Sequence, residues 1–106
     1  MYARLVTCTL KPNQLNSFKE TLEKQVIPML RKQIGFKDEM TFVGPSGTEV
    51  RTISIWDNKA NGETYNSTTY PDVLKSLASV LEGTPQVKTY EVAHSTFHKI
   101  PALATV

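Results

Sequence analysis

Cysteine is all but missing: Cys8 is the only one in 106 residues, so no internal disulfide can form and a reducing compartment suits the chain. Long apolar runs are missing as well. No segment approaches the roughly 20 apolar residues of a membrane span, and Met1 to Cys8 lacks the apolar stretch of a signal peptide. A soluble cytoplasmic protein with no membrane partner is expected, and the sequon Asn66-Ser67-Thr68 is then chance. An excess of one charge is also absent, since 12 basic and 10 acidic residues leave a net charge of +2. The signs alternate through Lys19, Glu20, Glu23, Lys24, Arg31 and Lys32, which describes a solvated helix face and argues against nucleic acid as a partner. No glycine-rich strand-to-helix junction supports a dinucleotide site, and no Gly-x-Ser-x-Gly elbow supports a serine nucleophile.

What is present is enough for one small domain over residues 1–106, which area scaling lets bury roughly 65% of its extended-chain surface. Residues 2 to 10 are rich in β-branched and apolar types and read as a first strand, ended by Lys11-Pro12-Asn13. Leu15, Phe18, Leu22, Val26, Met29 and Leu30 form a helical stripe that starts at Asn13 or Pro12 and stops before Gly35. Pro28 falls inside that stripe. It removes the bond to the Lys24 carbonyl, so a kink or a break near Gln25 to Ile27 is expected.

Phe36 to Val43 and Thr48 to Asp57 read as a hairpin joined by Gly44-Pro45-Ser46-Gly47. Those four residues resemble the Gly-x-x-Gly clamp of an RNA-binding module, but they lie between strands and are assigned to the turn. Asp57 or Asn58 can cap a helical segment through Tyr65 that Gly62 weakens. Pro71 opens a better helix carrying Val73, Leu74, Leu77, Val80 and Leu81, ended by Gly83. Val87 to Ile100 holds a long strand candidate, with residues 99–106 a loose tail. The order strand-helix-strand-strand-helix-strand predicts a ferredoxin-like α+β sandwich: a four-stranded antiparallel sheet with helices on one face. The other face is left bare and wants a partner, so a homodimer is expected.

Ile27-Pro28-Met29-Leu30-Arg31 running to Gly35-Phe36, the Trp56-Asp57 strand end entering a helix, Tyr65, and Pro85-Gln86-Val87 resemble one family in order and spacing. It is that of the antibiotic biosynthesis monooxygenase-like domains of the dimeric α/β barrel superfamily, over roughly residues 2 to 98. The resemblance implies a homodimer whose sheets face each other, with a small pocket between sheet and helices in each subunit. It also implies oxygenase chemistry without metal or flavin on phenols or quinols, a haem-degrading branch, and many members with no assigned role. Fold does not fix the reaction.

A cofactor-free oxygenase holds an electron-rich phenol as its anion, which needs an apolar cavity, aromatic walls and a few donors. Trp56 matches the tryptophan such enzymes carry at this strand end. Ser54 and Thr52 follow on the same strand face, while the asparagine expected near Thr52 is missing. The haem branch is disfavoured, because Leu5, Val6 and Thr7 stand where its asparagine lies, Tyr65 replaces its tryptophan, and Lys75 and Ser76 occupy the place of its histidine.

Thr52, Ser54, Trp56 and Tyr65 are therefore the expected ligand pocket, with Tyr65 and His94 as catalytic candidates and no cofactor or metal. A small aromatic or apolar molecule is the expected ligand. Each residue also has a plainer reading. Trp56 can be core, whereas Tyr65 and Tyr70 are better candidates for a pocket rim, because a phenol wants its polar end wet or paired. Cys8 behaves most simply as a small buried hydrophobe. Arg4 and Arg51 sit on neighbouring strands and could meet an anion, but surface or inter-subunit pairing is their ordinary fate. His94 and His98, four apart on a strand, would stand roughly 13 Å apart and could not share a metal ion. Two functions compete, a cofactor-independent monooxygenase for a small aromatic or quinol and a non-catalytic binding or stress-response module of the same fold, with an isomerase on that fold as a weaker third.

Overall fold

A computed structural model describes residues 1–100. Four strands, β1 (Tyr2–Leu10), β2 (Phe36–Val43), β3 (Glu49–Trp56) and β4 (Leu81–Glu91), form one sheet in the order β2-β3-β1-β4. Every neighbouring pair is antiparallel, which is the expected ferredoxin-like arrangement. Helices α1 (Leu15–Thr21), α2 (Ile27–Arg31), α3 (Lys59–Thr68) and α4 (Tyr70–Leu77) supply the second layer. No helix among the described residues is long and apolar enough to cross a membrane.

Alternation in β1 sends Arg4, Val6, Cys8 and Leu10 inward. Val6, Cys8 and Leu10 join Val50 and Trp56 of β3 and Phe18, Val26, Leu30, Tyr65, Val73 and Leu77 of the helical layer in one buried cluster, while Arg4 and Ser54 are its buried polar neighbours. The run from Leu15 to Arg31 does not break at Pro28. It widens into a π turn over Leu22–Val26, and Pro28 then sits in the first turn of α2, where a missing N–H costs least. The relief overlaps the expected region at Gln25 and Val26 and extends back to Leu22, because the ring crowds the turn that precedes it. Asn58, in extended conformation, caps α3 by accepting from the Asn61 N–H at 2.9 Å. Gly62, which weakens α3 on propensity, is there for packing: a Cβ at that position would stand 2.6 Å from the Tyr2 ring.

Three expectations about the chain's second half are corrected. The helix carrying Val73 and Leu77 ends at Leu77, and Val80 and Leu81 reach the core from the connection and from β4. Gly83 does not end a helix; at φ +72° it lies in an irregularity of β4, where the pairing slips from Thr9↔Glu82 to Thr7↔Gln86. The last strand therefore begins at Leu81 and ends at Glu91, so His94 and His98 are not on a strand. His98 lies 3.3 Å from the Asp38 carboxylate. Of the expected loose tail, residues 101–106 lie outside the described residues.

One irregularity decides what the sheet presents. Phe36 pairs with Trp56 and Asp38 with Ile55, so Lys37 is an extra residue in β2. Such a bulge reverses the phase of everything after it. Glu39 and Thr41 consequently face the helices opposite Ser54 and Thr52, while Met40 and Phe42 point to the other side beside Ile53 and Arg51. Met40 and Phe42 are about half exposed, at 48% and 50%. With Leu5, Ile53 and Ile55 they make an apolar outer face that no helix covers.

Candidate functional site

A cavity of about 50 Å³ lies between sheet and helices, lined by Arg4, Glu39, Thr52, Ser54, Tyr65 and Tyr70 above an apolar floor that includes Val6, Cys8 and Phe18. At roughly 10–15 Å³ per water on this scale, it has room for about four water-sized groups. The sheet register builds its polar row. Glu39 of β2 pairs with Ser54 of β3, Ser54 with Arg4 of β1, and Arg4 with Thr89 of β4. Glu39 and Arg4 therefore stand two strands apart, about 10 Å between backbones, on opposite sides of Ser54.

Arg4 is the unusual member, at 2% exposure. Its guanidinium donates to Asn66 Oδ1 at 2.7 Å and lies 4.5 Å from the Tyr70 ring centre and 5.0 Å from that of Tyr65. No carboxylate among the described residues comes within ion-pair distance of it. Burial lowers its pKa, and the surrounding tyrosines oppose that shift. A buried charge held by ring faces and one amide is costly unless an anion completes it. Arg51 projects to the opposite sheet face, opposite Thr7, so it does not join Arg4 at an anion site.

Tyr65 is buried, and burial pushes its hydroxyl up to about 12, against the pull of the Arg4 charge. It stays protonated near neutrality and can donate but not act as a base. Tyr70 is raised by burial too, and its hydroxyl is buried without a hydrogen-bond partner among the described residues. Such a group in a native interior asks for an explanation, and a missing ligand is one. Burial likewise raises Cys8, which removes thiolate character. Glu39 is raised by burial and by Asp38, with a hydrogen bond from Thr41 acting the other way.

The structure brings Thr52, Ser54 and Tyr65 to the cavity wall. Trp56 is not on that wall: it is fully buried behind Tyr65, stacked on it at 4.8 Å between ring centres. Its indole N–H is already used, donating to Ser54 Oγ at 2.9 Å. His94 is exposed beyond β4 and does not line the cavity. Among the described residues no three His, Cys, Asp or Glu side chains gather as a metal site.

Sequence reasoning weighed Arg4 against an anion but left it out of the pocket, and it missed Glu39 as a site residue. Arg4 was legible, because it falls in phase with Val6, Cys8 and Leu10. Glu39 was not, because the β2 pattern Phe36, Met40, Phe42 places it on the opposite face until the Lys37 bulge reverses the phase.

No family model matches the sequence, and no curated protein matches it. Solved structures do. A monooxygenase from the gene ActVA-Orf6 of Streptomyces coelicolor, in complex with nanaomycin D, superposes with a TM-score of 0.74 at 17% identity, over 95% of this chain and 92% of its own. SnoaB, a cofactor-independent oxygenase from Streptomyces nogalater, gives 0.74 at 9% identity over 90% and 95%. A protein of Nitrosomonas europaea, provisionally designated an antibiotic biosynthesis monooxygenase, gives 0.73 at 14% over 89% and 100%. The chain has the antibiotic biosynthesis monooxygenase fold. At these identities the likeness fixes the fold alone, and the site has to be argued from its own residues.

Proposed function

We propose that this chain is a cofactor-independent monooxygenase acting on a small phenol or quinol. The observation that carries the reading is Arg4, a buried guanidinium with no carboxylate partner among the described residues, at the edge of an apolar, tyrosine-walled cavity. An arginine so placed favours the phenolate over the phenol, and ionisation is what makes the ring able to reduce dioxygen. Ser54, whose oxygen accepts from Trp56, keeps its own proton to donate, and Thr52 adds a second hydroxyl on the same strand face. Tyr65 is the aromatic wall and Trp56 stiffens it from behind. His94 has no part in this scheme. For a phenol with a hydrogen para to its hydroxyl, the overall change is phenol plus dioxygen to quinone plus one water. One oxygen atom enters the ring, and the other leaves with the two hydrogens lost.

We also propose that a second copy of the chain covers the bare outer face, because the β2 bulge turns Met40 and Phe42 onto it beside Leu5, Ile53 and Ile55.

The rival is a non-catalytic module that holds an apolar metabolite. The absence of the asparagine near Thr52 favours it, as does an indole N–H already given to Ser54, while a cavity of about 50 Å³ is small for a whole ring in either reading. Arg4 also lines a groove of about 290 Å³ with Gly62, Glu63, Asn66, Val87 and Thr89, which gives a larger ligand room outward. Oxygen uptake by metal-stripped protein with naphthols, anthrones and hydroquinones separates the two. Uptake above the uncatalysed rate that falls at least tenfold in Arg4→Met supports the oxygenase. Binding of the same compounds without uptake supports the module.

A further inference from the structure

The polar side chains around the inner cavity are mostly donors. A guanidinium carries five N–H groups, and Asn66 Oδ1 takes one of those of Arg4. Tyr70, whose buried hydroxyl has no partner among the described residues, lines the same space, and Thr52, Ser54 and Tyr65 add three more hydroxyls. Ser54 accepts from the Trp56 indole, so its own proton remains to be donated. Burial keeps both tyrosines protonated near neutrality, pushing Tyr65 up to about 12, so they too are donors and not anions. The one carboxyl on the wall, Glu39, stands two strands from Arg4 beyond Ser54 and accepts from Thr41. Coulomb energy falls with distance, so beside Arg4 the guanidinium sets the sign of the field, and the apolar floor of Val6, Cys8 and Phe18 weakens its screening.

We infer that this cavity is a binding site for a small monovalent oxyanion of the size of formate, nitrate or bicarbonate, held by the Arg4 guanidinium and the Tyr70 hydroxyl. The charge follows from Arg4, a buried cation with no carboxylate within ion-pair distance among the described residues. The faces of Tyr65 and Tyr70, 5.0 and 4.5 Å from the guanidinium carbon to their ring centres, offset part of the cost of burying it. A ring face is nonetheless a weaker partner for an N–H than an anionic oxygen is. The size follows from the volume. About 50 Å³ excludes a ring and admits three or four heavy atoms, at roughly 10–15 Å³ for each water-sized group. A planar oxyanion offers two oxygens to the guanidinium fork, the pairing in which arginine differs from lysine, and it gives the orphaned Tyr70 hydroxyl an acceptor.

Arg4 also lines the outer groove with Gly62, Asn66 and Thr89, so the path from solvent to the guanidinium runs between α3 and β4. The inference goes beyond the oxygenase reading and does not depend on it. A phenolate oxygen competes with the ion for the same guanidinium, but the ion binds whether or not any reaction occurs.

The experiment titrates sodium formate into the full chain, with sodium gluconate, an anion too bulky for the cavity, holding the ionic strength constant. Saturation transferred from protein methyl groups to the formate proton reports the bound ion, with nitrate and benzoate as competitors. Wild-type protein is expected to give saturable transfer that nitrate removes and benzoate does not. The signal should be lost in Arg4→Met and unchanged in Lys32→Met, which removes an exposed cation just after α2. Tyr70→Phe keeps the ring over Arg4 and removes only the hydroxyl, so it tests the site even if Arg4→Met does not fold. Its affinity should fall about tenfold, the low end for a hydrogen bond to a charged group. Formate should also raise the melting temperature of wild type and not that of Arg4→Met, since a ligand that binds only the folded state stabilises it. No transfer, transfer that does not saturate, or a loss as large in Lys32→Met as in Arg4→Met means an adventitious ion only and overturns the site. Displacement by benzoate as complete as by nitrate overturns the assignment to the inner cavity, and undiminished affinity in Tyr70→Phe overturns the part given to Tyr70. Each of these failures leaves the oxygenase reading to its own test of oxygen uptake.

Discussion

Arg4 is where a single residue does most to separate function from stability. Its charge is desolvated with no carboxylate partner among the described residues, and an apolar side chain of similar length would not carry the desolvation penalty of that buried ion. Arg4→Met is accordingly expected to keep or raise the melting temperature while abolishing phenolate binding, measured by thermal unfolding and Trp56 fluorescence on the same samples. A fall in stability would mean that the guanidinium is a structural cross-brace to Asn66 and the tyrosines. Glu39 makes the complementary case. Its folded-state pKa lies above the ordinary value of 4.5, so the folded protein binds that proton more tightly than the unfolded chain. Its contribution is then most favourable at low pH and declines as pH rises from the unfolded value through the folded one. Glu39→Gln should remove that decline, and the difference in unfolding free energy between variant and wild type should shift in the variant's favour across that window. Trp56 stands apart from both, since Trp56→Ala empties a fully buried site behind Tyr65 and should cost about 3–5 kcal/mol. Lost activity in that variant has to be corrected for lost fold.

At the scale of elements, the cavity depends on how closely α3 lies on β1. Gly62 allows the Tyr2 ring to approach the helix backbone, so Gly62→Ala must push the helix or the ring aside. Overpacking of that kind costs about 1–3 kcal/mol. It also moves Tyr65 and Asn66, which share the helix, relative to Arg4. We expect Gly62→Ala to lower both the denaturant midpoint and ligand affinity, and Tyr2→Leu in the same background to restore part of each. Failure of that rescue would show that the close approach is not what Gly62 provides. The π turn before Pro28 answers a similar need within one helical run. It absorbs the proline without a break and lets Phe18, Val26 and Leu30 all reach the core.

For the molecule as a whole, helices on one face and apolar residues on the other set up an unequal pair of surfaces. The outer face carries Met40 and Phe42, each about half exposed, and β4 adds Tyr90 at 50%. Light scattering on the wild-type chain is expected to give a dimer mass, and Ile53→Glu, which sets a charge on a central strand of that face, should give a monomer. A monomeric wild type would leave the face to a different partner.

Much of this architecture was open to reading from the chain alone. The strand at residues 2 to 10, the hairpin around Gly44-Pro45-Ser46-Gly47 and the amphipathic run from Leu15 to Leu30 are set by local periodicity and turn chemistry, and their order leaves few ways to close an antiparallel sheet. Arg4 was within reach on the same grounds, as the one charge in phase with an apolar strand face. Three things were decided only by tertiary contact. The start of β4 at Leu81 depends on pairing with Leu10 across the sheet, a partner that no local pattern in residues 81 to 86 announces. The retreat of Trp56 from the cavity follows from Tyr65 stacking over it. The inward turn of Glu39 follows from one extra residue opposite the Trp56 and Ile55 pair. Periodicity is a property of one strand, whereas a bulge is a property of two strands in register, so the chain could specify its sheet by itself and yet leave the facing of Glu39 to the neighbour it pairs with.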